Sequence, residues 1–127
     1  MSETKKILIV DDEQDVLTYF ETIFLDNGYD TVTAKDGIEG FELAKSEKPD
    51  LIVLDVAMPQ QSGLKTYRQY KRHPALTNIP VIIITAVDDS FRIFLEELKE
   101  FGPPEGIFNK PIDPQELLKV VAEILSD

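Results

Sequence analysis

Five short apolar runs punctuate the chain: KILIV, DTVTA, LIVL, VIIIT and GIFN. Between them apolar residues recur every three or four positions, the period of an amphipathic helix. The runs predict strands over residues 6–10, 30–34, 51–54, 81–85 and 106–109. Four of them are nearly continuous apolar stretches, as expected of strands buried on both faces. The second alternates polar with apolar and is expected at a sheet edge.

The intervening segments carry helix signals. Val16, Phe20, Ile23 and Phe24 form a first stripe that Gly28 stops. Asp36 and Glu39 have the spacing of a capping box, before a helix carrying Ile38, Phe41 and Ala44. Ser62 is a candidate cap for a helix carrying Leu64, Tyr67 and Tyr70, and Pro74 ends it. Asp88 and Asp89 are candidate caps for a helix whose stripe, Phe91, Phe94, Leu95 and Leu98, reads as core. Asp113, Pro114 and Glu116 suit the opening of a last helix with Leu117, Leu118, Val121 and Leu125 inward.

Strands alternating with helices predict an α/β fold with a parallel sheet covered on both faces. Right-handed crossovers leave few topologies. The expectation is a doubly wound five-stranded parallel sheet in the order 2-1-3-4-5, with its switch point between the first and third strands. There is no internal repeat or low-complexity segment, so residues 1–127 are read as one domain.

Composition narrows the function classes. The 127 residues are 43% hydrophobic, enough for a core. Absence of cysteine excludes disulfides and thiolate metal sites and fits a reducing, cytoplasmic setting. A net charge of −11 repels nucleic acid and anionic membranes, so neither is an expected partner. No run is long enough to span a bilayer, and MSETKK leads straight into the first strand without a signal peptide.

The chemistry lies where the apolar runs end. Asp11 and Asp12, Asp55, Thr85 and Lys110 terminate four of the five predicted strands. In an open parallel sheet the C-terminal strand edges meet at one ligand-binding crevice. Three carboxylates, a hydroxyl and an ammonium there suit a divalent metal with a phosphoryl group. Each residue also has a plainer role. Asp12 can cap the first helix, with Asp15 three residues on. Asp55 can serve a turn, Lys110 can be a surface lysine, and Thr85 can be one of many strand threonines. What favours function is their convergence. Two carboxylates 4 Å apart repel by about 4 kcal/mol at an effective dielectric of ~20, which calls for a positive neighbour. Lys110 precedes Pro111, which biases it toward extended geometry and permits a cis bond.

The pieces ILIVDDE, LIVLDVAMPQQSG, IPVIIITA and NKP, in this order and spacing, resemble the receiver domain of two-component response regulators over essentially the whole chain. The resemblance implies a flavodoxin-like receiver fold with Asp55 as phosphoacceptor. It implies that Mg²⁺ is held by Asp11, Asp12, Asp55 and the backbone carbonyl of Ala57. Thr85 and Lys110 would bind the phosphoryl oxygens. The implied donor is a phosphohistidine on a sensor histidine kinase or histidine phosphotransfer domain. The output would pass by protein contacts to a downstream target, through the face made by the Phe91–Leu98 segment, the fifth strand and the last helix. Such a protein is a self-catalysed phosphoacceptor with autophosphatase activity at most, and not an enzyme acting on other substrates.

Three departures from the family pattern stand out. The position three before Lys110, usually aromatic, is Ile107, and Phe108 is expected on the opposite face of the strand. The stretch from Thr85 to Lys110 is a few residues longer than usual, and the extra length is expected to lie within ELKEFGPPEG. Ala57 and Val87, each two residues past a site residue, cannot orient an attacking water, so slow loss of the phosphoryl group is expected. Competing readings are weaker. A haloacid-dehalogenase-type phosphotransferase would carry an acid where Ala57 stands, and a flavodoxin-like cofactor binder would not place acidic DDEQD against a phosphate. An unphosphorylated receiver-like docking module remains the alternative. His73 is read as a solvated loop residue.

Overall fold

Successive Val, Ile and Leu residues favour extended backbone, and strands apolar on both sides need cover on both faces. The computed structural model meets that need with helices on each face of one sheet. It describes residues 4–55, 62–85 and 104–126, with the side chains of residues 62–64 left aside. In chain order the elements are β1 (Lys6–Val10), α1 (Gln14–Asp26), β2 (Asp30–Ala34), α2 (Gly37–Glu47), β3 (Leu51–Asp55), α3 (Ser62–Arg72), β4 (Val81–Thr85), β5 (Gly106–Asn109) and α4 (Pro114–Leu125). The helix expected on Phe91, Phe94, Leu95 and Leu98 lies outside the described residues, as do the candidate caps Asp88 and Asp89.

All strand pairs are parallel, and the order is β2-β1-β3-β4-β5. Side-chain alternation divides the core in two. Leu8, Val10, Ile52, Leu54, Val81 and Ile83 face Ala44, Tyr67 and Tyr70 of α2 and α3. Ile7, Ile9, Leu51, Val53, Ile82 and Ile84 face Leu17, Phe20 and Phe24 of α1 and Leu117 and Val121 of α4. β2 is an edge strand, as its alternation predicts. β5, expected to be buried on both faces, is the opposite edge and is only partly buried. An apolar run of four residues does not distinguish a central strand from a covered edge. Ile107 joins the α2–α3 side of the core and Phe108 the α1–α4 side, as strand alternation requires.

Helix ends follow local chemistry. α1 stops in a Schellman arrangement: Gly28 N donates to Leu25 O at 3.2 Å and Tyr29 N to Phe24 O at 3.0 Å. Gly28 takes φ +88°, and the Tyr29 ring stands edge-on to Phe24. At α2 the Asp36 carboxylate accepts from Glu39 N at 2.8 Å, while Glu39 reaches back to Lys35 N at 2.7 Å, one residue before the cap. Asp113 caps α4 through Gln115 N, with Pro at the start of the helix. α2 and α3 approach closely at two glycines. Tyr70 donates its hydroxyl to Gly37 O at 3.0 Å, and a Cβ on Gly40 would collide with that hydroxyl and lie 2.8 Å from Val10 Cγ2.

His73 lies in the turn after α3, as expected, but is half-buried rather than fully solvated. Its ring is edge-on to Phe41 at 5.1 Å, its Nδ1 accepts from Ala75 N, and its carbonyl accepts from Leu76 N and Thr77 N. It organises the turn after α3. Among the described residues no helix is long and apolar enough to cross a membrane.

Candidate functional site

Strand register brings the strand-end residues together. Val10 pairs with Leu54, so Asp11 and Asp55, each one residue further on, emerge side by side. β3 runs one residue past its expected end, and Asp55, the last residue of the strand, pairs with Ile84. Thr85 follows Ile84 and pairs with Asn109, which places Lys110 beside them. Two backbone bonds continue the pairing beyond the strands: Asp11 N to Ala34 O at 3.1 Å and Lys110 N to Thr85 O at 2.9 Å. The Lys110–Pro111 peptide is cis.

Asp11, Asp55 and Thr85 are buried, at 1%, 3% and 3% exposure, among a core that is otherwise almost wholly apolar. Buried carboxylates need partners. Lys110 Nζ meets Asp55 Oδ2 at 2.9 Å. Asp11 Oδ1 accepts from Glu13 N at 2.9 Å. Asp11 Oδ2 is buried and, with both carboxyl groups ionised, has no hydrogen-bond donor.

Electrostatics register the same shortage. Burial is the first cause that pushes the Asp11 carboxyl up to about 8. A side-chain hydrogen bond with Asp55, which needs a proton between two carboxyl groups, and the charge of Asp55 push the same way. The Glu13 N–H and the Lys110 charge oppose the shift without cancelling it. At Lys110, burial would lower the ammonium's pKa, but its bond to Asp55 and the charges of Asp55, Asp11 and Glu13 outweigh that, and the net shift is upward.

Asp12 is exposed beside this pair. It is not the α1 cap that its position allowed, because Glu13 occupies the N-cap. One oxygen from each of Asp11, Asp12 and Glu13 falls within 4.8 Å of the others, the spacing of a cation site. Glu13 was not singled out from the sequence. The signal was present in the unbroken acidic run DDE, but a Glu at a helix start reads as ordinary dipole complementarity. Asp11, Asp55, Thr85 and Lys110 thus converge, with Asp12 at the rim. Ala57 and Val87 lie outside the described residues.

An acidic cluster at the switch point of a 2-1-3-4-5 parallel sheet, with a lysine on the central aspartate, defines a class, and sequence comparison agrees with it. The model of the response regulator receiver domain family matches residues 7–122, and the chain belongs to that family. The polar-differentiation response regulator DivK of Brucella ovis is 31% identical over 124 residues, 98% of each chain. The alkaline phosphatase synthesis transcriptional regulatory protein PhoP of Bacillus subtilis is 38% identical over 121 residues, 95% of this chain and 48% of PhoP. The chain therefore spans about half the length of PhoP. Among solved structures, chemotaxis protein CheY4 of Vibrio cholerae superposes with a TM-score of 0.84 at 28% identity, covering 97% of this chain and all of that one. The signal receiver domain of a histidine kinase from Syntrophus aciditrophicus gives 0.85 at 30%, covering 97% and 91%. Receiver fold and two-component membership thus stand as the resemblance implied.

Proposed function

We propose that the protein is a phosphoacceptor switch of a two-component phosphorelay, taking a phosphoryl group on Asp55 from a phosphohistidine. The observation that carries this reading is the buried, donor-less Asp11 Oδ2 beside an Asp55 held by Lys110. A protein keeps such an arrangement where a cation and an anionic group complete it. The acidic donors fit a hard divalent ion, which prefers oxygen ligands. Asp11, Asp12 and Asp55 would hold Mg²⁺, with the Ala57 carbonyl as the family resemblance implies. When bound, the ion supplies neutralising charge for the incoming phosphoryl oxygens.

The chain's own residues do the rest. An Asp55 carboxylate oxygen attacks phosphorus, the P–N bond to the donor imidazole breaks, and the imidazole takes up a proton as it departs. Such transfer depends on in-line positioning and charge neutralisation more than on acid–base chemistry. Lys110, already on Asp55, supplies a point charge to a phosphoryl oxygen. Thr85, the last residue of β4, would donate its hydroxyl to another. The protein acts on itself and on no other substrate. Its donor is a sensor histidine kinase or a histidine phosphotransfer domain, and its output is a contact with a target protein.

Incubation with acetyl phosphate and Mg²⁺, read by intact mass, tests the proposal. The expected result is one added phosphoryl group, lost on chelation and absent in Asp55→Asn. With Ala57 and Val87 unable to orient water, the label is expected to decay slowly after removal of acetyl phosphate. If neither acetyl phosphate nor phosphorylated kinases label the chain, the unphosphorylated docking module takes its place.

A further inference from the structure

Glu13 breaks a local rule. It is the N-cap residue of α1, where short side chains that reach the helix amides are favoured, yet its side chain makes no cap hydrogen bond. Its backbone is fixed on both sides. Its N–H donates to Asp11 Oδ1 at 2.9 Å, and its carbonyl accepts from Val16 N and Leu17 N at 3.1 Å each. A carboxylate on so firmly held a backbone, unused by the helix, has its oxygen within 4.8 Å of those of Asp11 and Asp12. A second sign of a ligand is the buried Asp11 Oδ2, which has no donor when both the Asp11 and Asp55 carboxyl groups are ionised. Sequence sites that violate a local preference without structural gain are commonly functional.

We propose that Glu13 is a further carboxylate ligand of the cation site, one that strengthens binding and favours the larger Ca²⁺ more than it does Mg²⁺. The inference rests on the reading of the acid cluster as a cation site. Mg²⁺ holds a tight octahedral shell, keeps several waters and uses one or two carboxylates. Ca²⁺ accepts six to eight oxygens at longer and more variable distances, including both oxygens of one carboxylate. Glu13 is exposed and has a longer side chain than the two aspartates, so it can reach an ion over a range of distances. Each added carboxylate charge tightens binding of a divalent ion, and the flexible one benefits the ion with the looser shell.

Calorimetric titration of MgCl₂ and CaCl₂ into the wild type, Glu13→Gln and Asp11→Asn tests this. Because Glu13 makes no cap bond and is exposed, Glu13→Gln should melt within a degree or two of wild type, which circular dichroism checks. The expected result is roughly three- to tenfold weaker Mg²⁺ binding in Glu13→Gln and a distinctly larger loss for Ca²⁺. Asp11→Asn should abolish both. Wild-type affinities retained in Glu13→Gln would overturn the ligand role and leave the function above intact. An equal loss for both ions would also overturn it, leaving Glu13 as a nearby charge. If the wild type bound neither ion, the cation-site reading itself would fall, and this inference with it.

Discussion

Asp11 is the residue whose state the fold controls most tightly. Its folded pKa, raised to about 8 by burial and by Asp55, exceeds the ordinary carboxylate value of 3.8. The folded, metal-free protein therefore binds a proton there that the unfolded chain releases. That stabilising difference is complete below about pH 4 and is lost as pH rises toward about 8. One pKa unit corresponds to ~1.4 kcal/mol, so even a fraction of this shift is measurable. Metal-free protein is expected to melt at lower temperature at pH 8 than at pH 5, and Asp11→Asn should flatten the trend and raise stability near neutrality. Melting curves in EDTA across this range check both. A cation needs Asp11 ionised, so Mg²⁺ binding should release a proton and strengthen with pH over the same window. The sequence placed Asp11 correctly at the end of β1 but not its protonation, which depends on Asp55 arriving from 44 residues away.

At the scale of elements, the tightest joint is between α2 and α3. Gly40→Ala would drive a methyl group into the Tyr70 hydroxyl and toward Val10, which should cost about 1–3 kcal/mol. Tyr70→Phe leaves the Gly37 carbonyl without its donor, at about 1 kcal/mol. The two should not add. Removing the hydroxyl relieves part of the Gly40→Ala clash, so the double variant should be more stable than the sum predicts, and urea melts of all four proteins test this. Neither glycine was distinguished in the sequence, because a glycine in a helix shows its reason only when the neighbouring helix is known. Helix ends were more legible. Gly28 after α1, Asp36 before α2 and Asp113 before α4 carry chemistry that acts over a few residues. Two positions depart from this. Glu13 took the cap that Asp12 could have filled, and His73 found Phe41, a contact between elements that no spacing encodes.

Across the whole molecule, topology converts four separated strand ends into one site. Strand order and the positions of Asp11, Asp55, Thr85 and Lys110 were legible because parallel strands buried on both faces are unbroken apolar runs whose ends are marked by polar residues. The edge character of β5 was not, because its half-buried state is decided by what lies beside it. The acidic surface is part of the same design. With a net charge of −11, a receiver domain of this kind is expected to engage its partners through protein contacts. Reductive trapping shows whether Asp55 receives the phosphoryl group. Protein treated with acetyl phosphate and Mg²⁺ is reduced with borohydride, which converts an acyl phosphate to the alcohol, and is then mapped by peptide mass spectrometry. The expected product is homoserine at position 55 alone, and none when Mg²⁺ is chelated. Modification at Asp11, Asp12 or another residue, with Asp55 intact, would contradict it.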